Sequence, residues 1–263
     1  MATITPTIAR LDRGYVEVSG PDAEDFLERM LSNEVSALER GPEARPALLL
    51  TPKGRIIAPL RVVRVASDAF LLITDAAALA EPVAEALQRA RFAAKCRIEV
   101  VPRQGHLHLG VEQTSGAVRN HDYGVDAWET FDEPGSVQAA VIEAAELEPL
   151  RIDAGTPVWG KELDESVLPA EAGLDETHIS FTKGCFPGQE PIARLHYRGH
   201  ANRRLRVLDV EAAEEGADIV WNGKVVGRVT SAVPGRALGY VRTEVPEDAA
   251  LDVGGMDARM RPA

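Results

Sequence analysis

Apolar residues along this chain come in strand-length runs, the longest about five residues (Ala69 to Ile73), each closed by turn residues. Such runs fit short strands and the buried faces of short helices, and they fall far below the ~20 residues of a membrane-spanning helix. The opening reads as a strand (Tyr15 to Val18), a Ser19-Gly20-Pro21-Asp22 start signal and a helix with Phe26, Leu27, Met30 and Leu31 on one face. Ala47 to Leu50 and Ile56 to Val65 make a hairpin around the turn Thr51-Pro52-Lys53-Gly54. Pro59 lacks a ladder donor, so its strand is expected at an edge or with a bulge there.

Phe70 to Thr74 is a further strand, and Leu79, Val83 and Leu87 mark a helix over Ala78 to Arg91. Ile98 to Val101 and His106 to Val111 alternate as strands, and Val137 to Leu147 is predicted helical. Strands alternating with single helices, without a long parallel βαβ array, predict an α+β build. From Leu205 onward short strands are split by Asn222-Gly223 and Pro234-Gly235, the pattern of a small all-β barrel or sandwich.

The 263 residues exceed one average domain, so two or three compact units are expected. Acids outnumber bases 41 to 29, and the net charge of −12 argues against general affinity for nucleic acid. Of the 29 bases, 24 are Arg and 5 are Lys. The two cysteines, Cys96 and Cys185, form no CxxC and spell no metal site. The N-terminus has no basic start followed by an apolar core, so a cytosolic location is expected.

The stretch from Leu150 to Arg206 carries the chemistry. Cys185 lies between Gly184 and Gly188, ahead of a helix start at Gly188-Gln189-Glu190-Pro191. A thiol there, near Lys183, is expected to gain thiolate character from orphan N–H groups and positive charge. From Phe181 to Arg206 six Lys or Arg face one acid, Glu190, a local +5 that reads as a solvated helix face or an anion-docking surface.

Lys183-Gly184-Cys185-Phe186-Pro187-Gly188-Gln189-Glu190 resembles the K-G-C-x-x-G-Q-E signature of the YgfZ-type folate-binding proteins, relatives of the glycine-cleavage aminomethyltransferase, or T-protein. Arg151-x-Asp153-Ala154-Gly155 with Gly160-x-Glu162-Leu163, the stretch Leu31-Ser32-Asn33-Glu34-Val35 and the strand Gly223 to Ser231 are similar to further family segments. The resemblance implies a ring of three small domains, with ferredoxin-like α/β units and a C-terminal β-barrel, holding tetrahydrofolate in a central channel. The corresponding division is 1–45 with 147–202, 46–146, and 203–263.

It also implies roles. Glu129, ending a degenerate Tyr123-Gly124-Val125-Asp126-Ala127-Trp128-Glu129 stretch, would accept from the pterin edge. Arg151 would face the folate carboxylates. Gly184, Gly188, Gln189, Glu190 and Arg198 join them as cofactor-binding candidates, and Cys185 is the candidate reacting residue. The T-protein hairpin carries a catalytic Asp pair where this chain has Ala58 and Pro59, neither of which can move a proton. The implied function is therefore a tetrahydrofolate-binding accessory protein for iron–sulfur enzymes, including tRNA-modifying ones. The alternatives are a folate-dependent one-carbon transferase or demethylase with another acid, and a weaker RNA-docking reading of the basic patch. Expected partners are a reduced folate and iron–sulfur clients or cluster-assembly proteins, with no membrane, and the chain is expected to be a monomer.

Overall fold

The structure, a computed structural model, describes residues 5–113, 115–132 and 139–262. β1 (Thr7–Leu11) and β2 (Gly14–Ser19) follow one another in the chain yet enter different sheets. After α1 (Ala23–Met30) come β3 (Arg45–Leu50), β4 (Ile56–Ala66), β5 (Ala69–Thr74), α2 (Ala80–Ala90) and β6 (Arg97–Val100). These strands build an antiparallel sheet in the order β3-β4-β5-β2-β6. Period-2 alternation sends Val16 and Val18 to the core under α1 and α2, with Phe26, Leu27, Leu60, Leu72, Val83 and Leu87. Tyr15 points to the opposite face.

That opposite face meets a second sheet. β7 (Gly105–Leu109), β8 (Val118–Asn120), β9 (Ala127–Phe131) and β10 (Ala140–Ile142) join β1 in the order β10-β1-β7-β9-β8. Tyr15, Val63, Leu71 and Ile73 of the first sheet pack with Val118 and Phe131 of the second. The described strands of residues 1–45 are thus shared between the two sheets. After α3 (Glu148–Asp153), a long loop and α4 (Gln189–Arg198), the chain forms β11 (Arg203–Val210), β12 (Asp218–Trp221), β13 (Lys224–Val233), β14 (Arg236–Arg242), β15 (Ala250–Val253) and β16 (Met256–Met260). These six close into a barrel, β11 pairing with both β14 and β16. The Asn222-Gly223 turn has both residues at positive φ, as a two-residue hairpin requires.

Two expectations need correction. Residues 137 and 138 lie outside the described residues, and the rest of the expected helix is β10 followed by a 3-10 turn over Ala144–Leu147. Parallel pairing of Ala140–Ile142 with Thr7–Ala9 overrides the local preference. Pro59 sits in an internal strand, but only β3 pairs there, because the β4–β5 ladder starts at Leu60. The register shift at Leu49/Leu50 places a bulge at Ile57, beside it. Among the described residues no helix is long and apolar enough to cross a membrane.

Candidate functional site

The joint between the two sheets is polar at one end. Glu129 lies on β9, two residues before Phe131, and Arg61 on β4, two before Val63, so each shares the face of its apolar neighbour. Glu129 is fully buried; its Oε2 accepts from Arg61 Nη2 and, at 3.0 Å, from Asn120 Nδ2. Arg13 Nη2 donates to Asp122 Oδ2 at 2.7 Å. Gly105 leaves room here, since a Cβ on it would strike the Tyr15 hydroxyl and come within 3.2 Å of Glu129 Oε1.

Five buried polar atoms of this cluster have no hydrogen-bond partner among the described residues: Arg13 Nε, Tyr15 Oη, Arg61 Nη1, Asp75 Oδ1 and Glu129 Oε1. Native proteins leave few such atoms unsatisfied, and a concentration of them marks a place built for something else to bond. Burial would raise the Asp122 carboxyl, but Arg61 and Arg13 outweigh it and hold it below the usual carboxylate range. Asp75 goes the other way: burial pushes it up, only partly offset by the Trp159 N–H that it accepts at 2.7 Å and by Arg13. Burial also raises the Tyr15 and Tyr123 hydroxyls and drives nearby His178 down to about 4, so its imidazole is neutral at pH 7. The cluster pairs acceptors and donors in one desolvated volume, with Asp122 about a quarter exposed at its edge.

Of the residues singled out in the sequence, Glu129 alone lies in this cluster. Arg151 does not present itself to a ligand. Its five N–H donors are spent on Glu148 Oε1 and Oε2, Glu162 Oε2, Ser231 Oγ and the Thr156 carbonyl, at 2.6–2.9 Å. With Ser231 Oγ donating to Glu162 Oε1, the guanidinium locks α3 and the following loop to barrel strand β13. The side-chain hydrogen bond from Arg151 pulls Glu148 down to about 2, against its partial burial.

The KGC octapeptide is a third place. Lys183 does not face Cys185. Its Nζ, almost wholly buried, donates to the carbonyls of Glu28, Leu31 and Asn33 at 2.7–2.9 Å, tying the loop to the end of α1. Burial lowers its pKa, partly countered by Glu28. The hydrogen bonds of Lys183 thus go to the α1 end and none to the thiol. Cys185 is exposed. Gly188 needs its left-handed φ of 81° and caps α4, whereas Gly184 has no left-handed φ and nothing near its missing Cβ. Gln189 is half-buried, and Glu190 and Arg198 are exposed on α4. Among the described residues no group of three or more His, Cys, Asp and Glu could hold a metal ion.

Sequence reasoning missed Arg13, Arg61, Asp75, Asn120 and Asp122. The one available signal was Asn120-His121-Asp122 just ahead of the Tyr123 stretch.

Residues 12–108 match the GCVT N-terminal domain and residues 202–263 the CAF17 C-terminal beta-barrel domain. The glycine cleavage system aminomethyltransferase T of Bartonella henselae superposes with a TM-score of 0.84 over 98% of this chain and 85% of its own, at 20% identity. The fold is that of the aminomethyltransferases. An uncharacterized Haemophilus influenzae protein is 28% identical over 83% of this chain and 81% of its own length. The tRNA-modifying protein YgfZ of Edwardsiella ictaluri is 28% identical over 75% and 69%, and a Rubrobacter xylanophilus aminomethyltransferase 27% over 88% and 74%. The chain is thus similar, over most of its length, to YgfZ/CAF17-type proteins and to the aminomethyltransferases.

Proposed function

We propose that this protein binds a reduced folate in the polar cluster between the two sheets and acts as an accessory to iron–sulfur enzymes rather than as an aminomethyltransferase. The observation that carries the reading is the buried, unpartnered Glu129 Oε1, beside the unpartnered Tyr15 hydroxyl and Arg61 Nη1. A pterin edge offers an amino group and a ring N–H to such a carboxylate, and ring acceptors to such donors. Tetrahydrofolate supplies one-carbon chemistry when bound; the chain's own residues here bind and orient. The link to iron–sulfur clients and tRNA modification comes from the octapeptide resemblance and from the name of the YgfZ relative.

Calorimetric titration with tetrahydrofolate tests this. Glu129→Gln keeps the shape but removes a full acceptor, and should weaken binding by about tenfold to a hundredfold. Unchanged affinity in a folded variant would refute the assignment. For the accessory role, Cys185→Ser should fold and bind folate yet fail to restore iron–sulfur enzyme activity in cells lacking the protein.

One observation favours a second reading, a folate-dependent one-carbon transferase. Asp75 follows Thr74, the partner of Leu60, and so stands where the β4–β5 ladder ends, level with Pro59, the position at which the T-protein resemblance implies an acid. Burial raises its pKa, the tuning a general acid or base needs. Methyl transfer or formaldehyde release that Asp75→Asn abolishes would favour it over the first.

A further inference from the structure

A cleft of about 480 Å³ lies between α4, the β3–β4 turn and the loop at residues 168–175, and its lining includes none of the polar cluster's residues. Its apolar lining includes Leu168, Pro169, Ile192 and Leu195. Lys53, Arg194 and Arg198 also line it, and none of the three has an ion-pair partner among the described residues. Arg194 and Arg198 stand one turn apart on α4, where like charges repel, in a chain whose acids exceed its bases by twelve. Even Glu190, one turn before Arg194, does not pair with it. Three cations without an ion-pair partner among the described residues thus surround one concavity, a lining that suits an anion.

A second, independent feature points to a particular anion. The Asp175 side chain lines the same cleft and is nine-tenths buried, with Oδ2 4.0 Å from His196 Nδ1 and Oδ1 without a partner. That oxygen is a buried acceptor beside the cleft with a bond left to make. His196 is held as a flat wall by stacking on Phe181, centroids 3.9 Å apart. A ligand that satisfies all of this has a flat apolar body with an N–H donor and an anionic group at its other end. The volume suits a small ligand.

We propose that this cleft is a second binding site, for a nucleoside phosphate: base amine toward Asp175, base against the apolar and His196 walls, phosphates on Arg194, Arg198 and Lys53. The purified full chain is titrated with ADP, pyrophosphate and adenosine. ADP should bind one per chain, and Arg194→Ala and Arg198→Ala should each weaken it about tenfold or more. Both arginines are exposed, so these variants fold. Asp175→Asn should weaken ADP similarly while leaving pyrophosphate binding unchanged. Three results would each overturn the proposal: no ADP binding at millimolar concentration, wild-type ADP affinity in the double arginine variant, or displacement of ADP by tetrahydrofolate. Capture of single-stranded RNA without ADP binding would do so too, and would assign the cations to RNA.

Discussion

Gly54 and Gly188 meet backbone to backbone: a Cβ on Gly188 would lie 2.9 Å from Gly54 Cα and 2.5 Å from Thr51 O. The octapeptide loop is thereby seated on the turn of the β3–β4 hairpin, whose second strand carries Ala58 and Pro59. Both residues have left-handed φ, 73° and 81°.

Gly188→Ala combines a strained φ with a backbone clash, so it should destabilise by at least about 2 kcal/mol. Gly184→Ala, with open space and no left-handed φ, should stay within about 0.5 kcal/mol of wild type. Denaturant melts of the two variants check this, and equal losses would contradict the packing.

Cys185 is exposed, whereas Cys96 is buried and its thiol is raised by burial. Iodoacetamide should label Cys185 first in the folded protein. Because Lys183 bonds the α1 end instead of the thiol, Lys183→Met should leave the labelling rate of Cys185 unchanged. It should instead destabilise the fold by about 3 kcal/mol or more, since three carbonyls lose their donor.

Arg151→Ala leaves Glu162 buried and unpaired, and should cost about 3–5 kcal/mol of stability. The pH signature follows from Glu148. Its folded pKa of about 2 lies below an ordinary 4.5, so its contribution is full above pH 4.5 and is lost as pH falls toward 2. Glu148→Gln should flatten that segment of the stability–pH curve. Melting at several pH values between 2 and 6 reads it out.

No turnover is expected with the aminomethyl-lipoyl carrier protein, because Ala58 is wholly buried in the core and Pro59 carries no acid. Methylene-tetrahydrofolate formation at a T-protein rate would contradict the accessory reading.

Local signals carried most of the barrel and the first sheet. Asn222-Gly223 dictates a hairpin whatever surrounds it, and the Leu79, Val83, Leu87 spacing marks α2 without reference to any partner. The site was legible only at Glu129. Arg13, Arg61, Asp75 and Asp122 come from four separated stretches, and each looks like an ordinary solvated charge until the two sheets face one another. Arg151 and Lys183 were legible as important but not as spent: nothing local reveals that Ser231 or the Leu31 carbonyl waits for their donors.

The separation of β1 from β2 has a consequence for biosynthesis. β1 is translated early, but its neighbours on either side, β7 and β10, hold Leu109 and Ala140 opposite Thr7. At ~5–20 residues per second, roughly a hundred residues of waiting is on the order of 5 to 20 s on the ribosome. During that interval the first sheet can close over α1 and α2 while β1 remains an unclaimed edge on the nascent chain. The polar cluster around Glu129 is therefore finished late, after the hairpin that carries Arg61 has set.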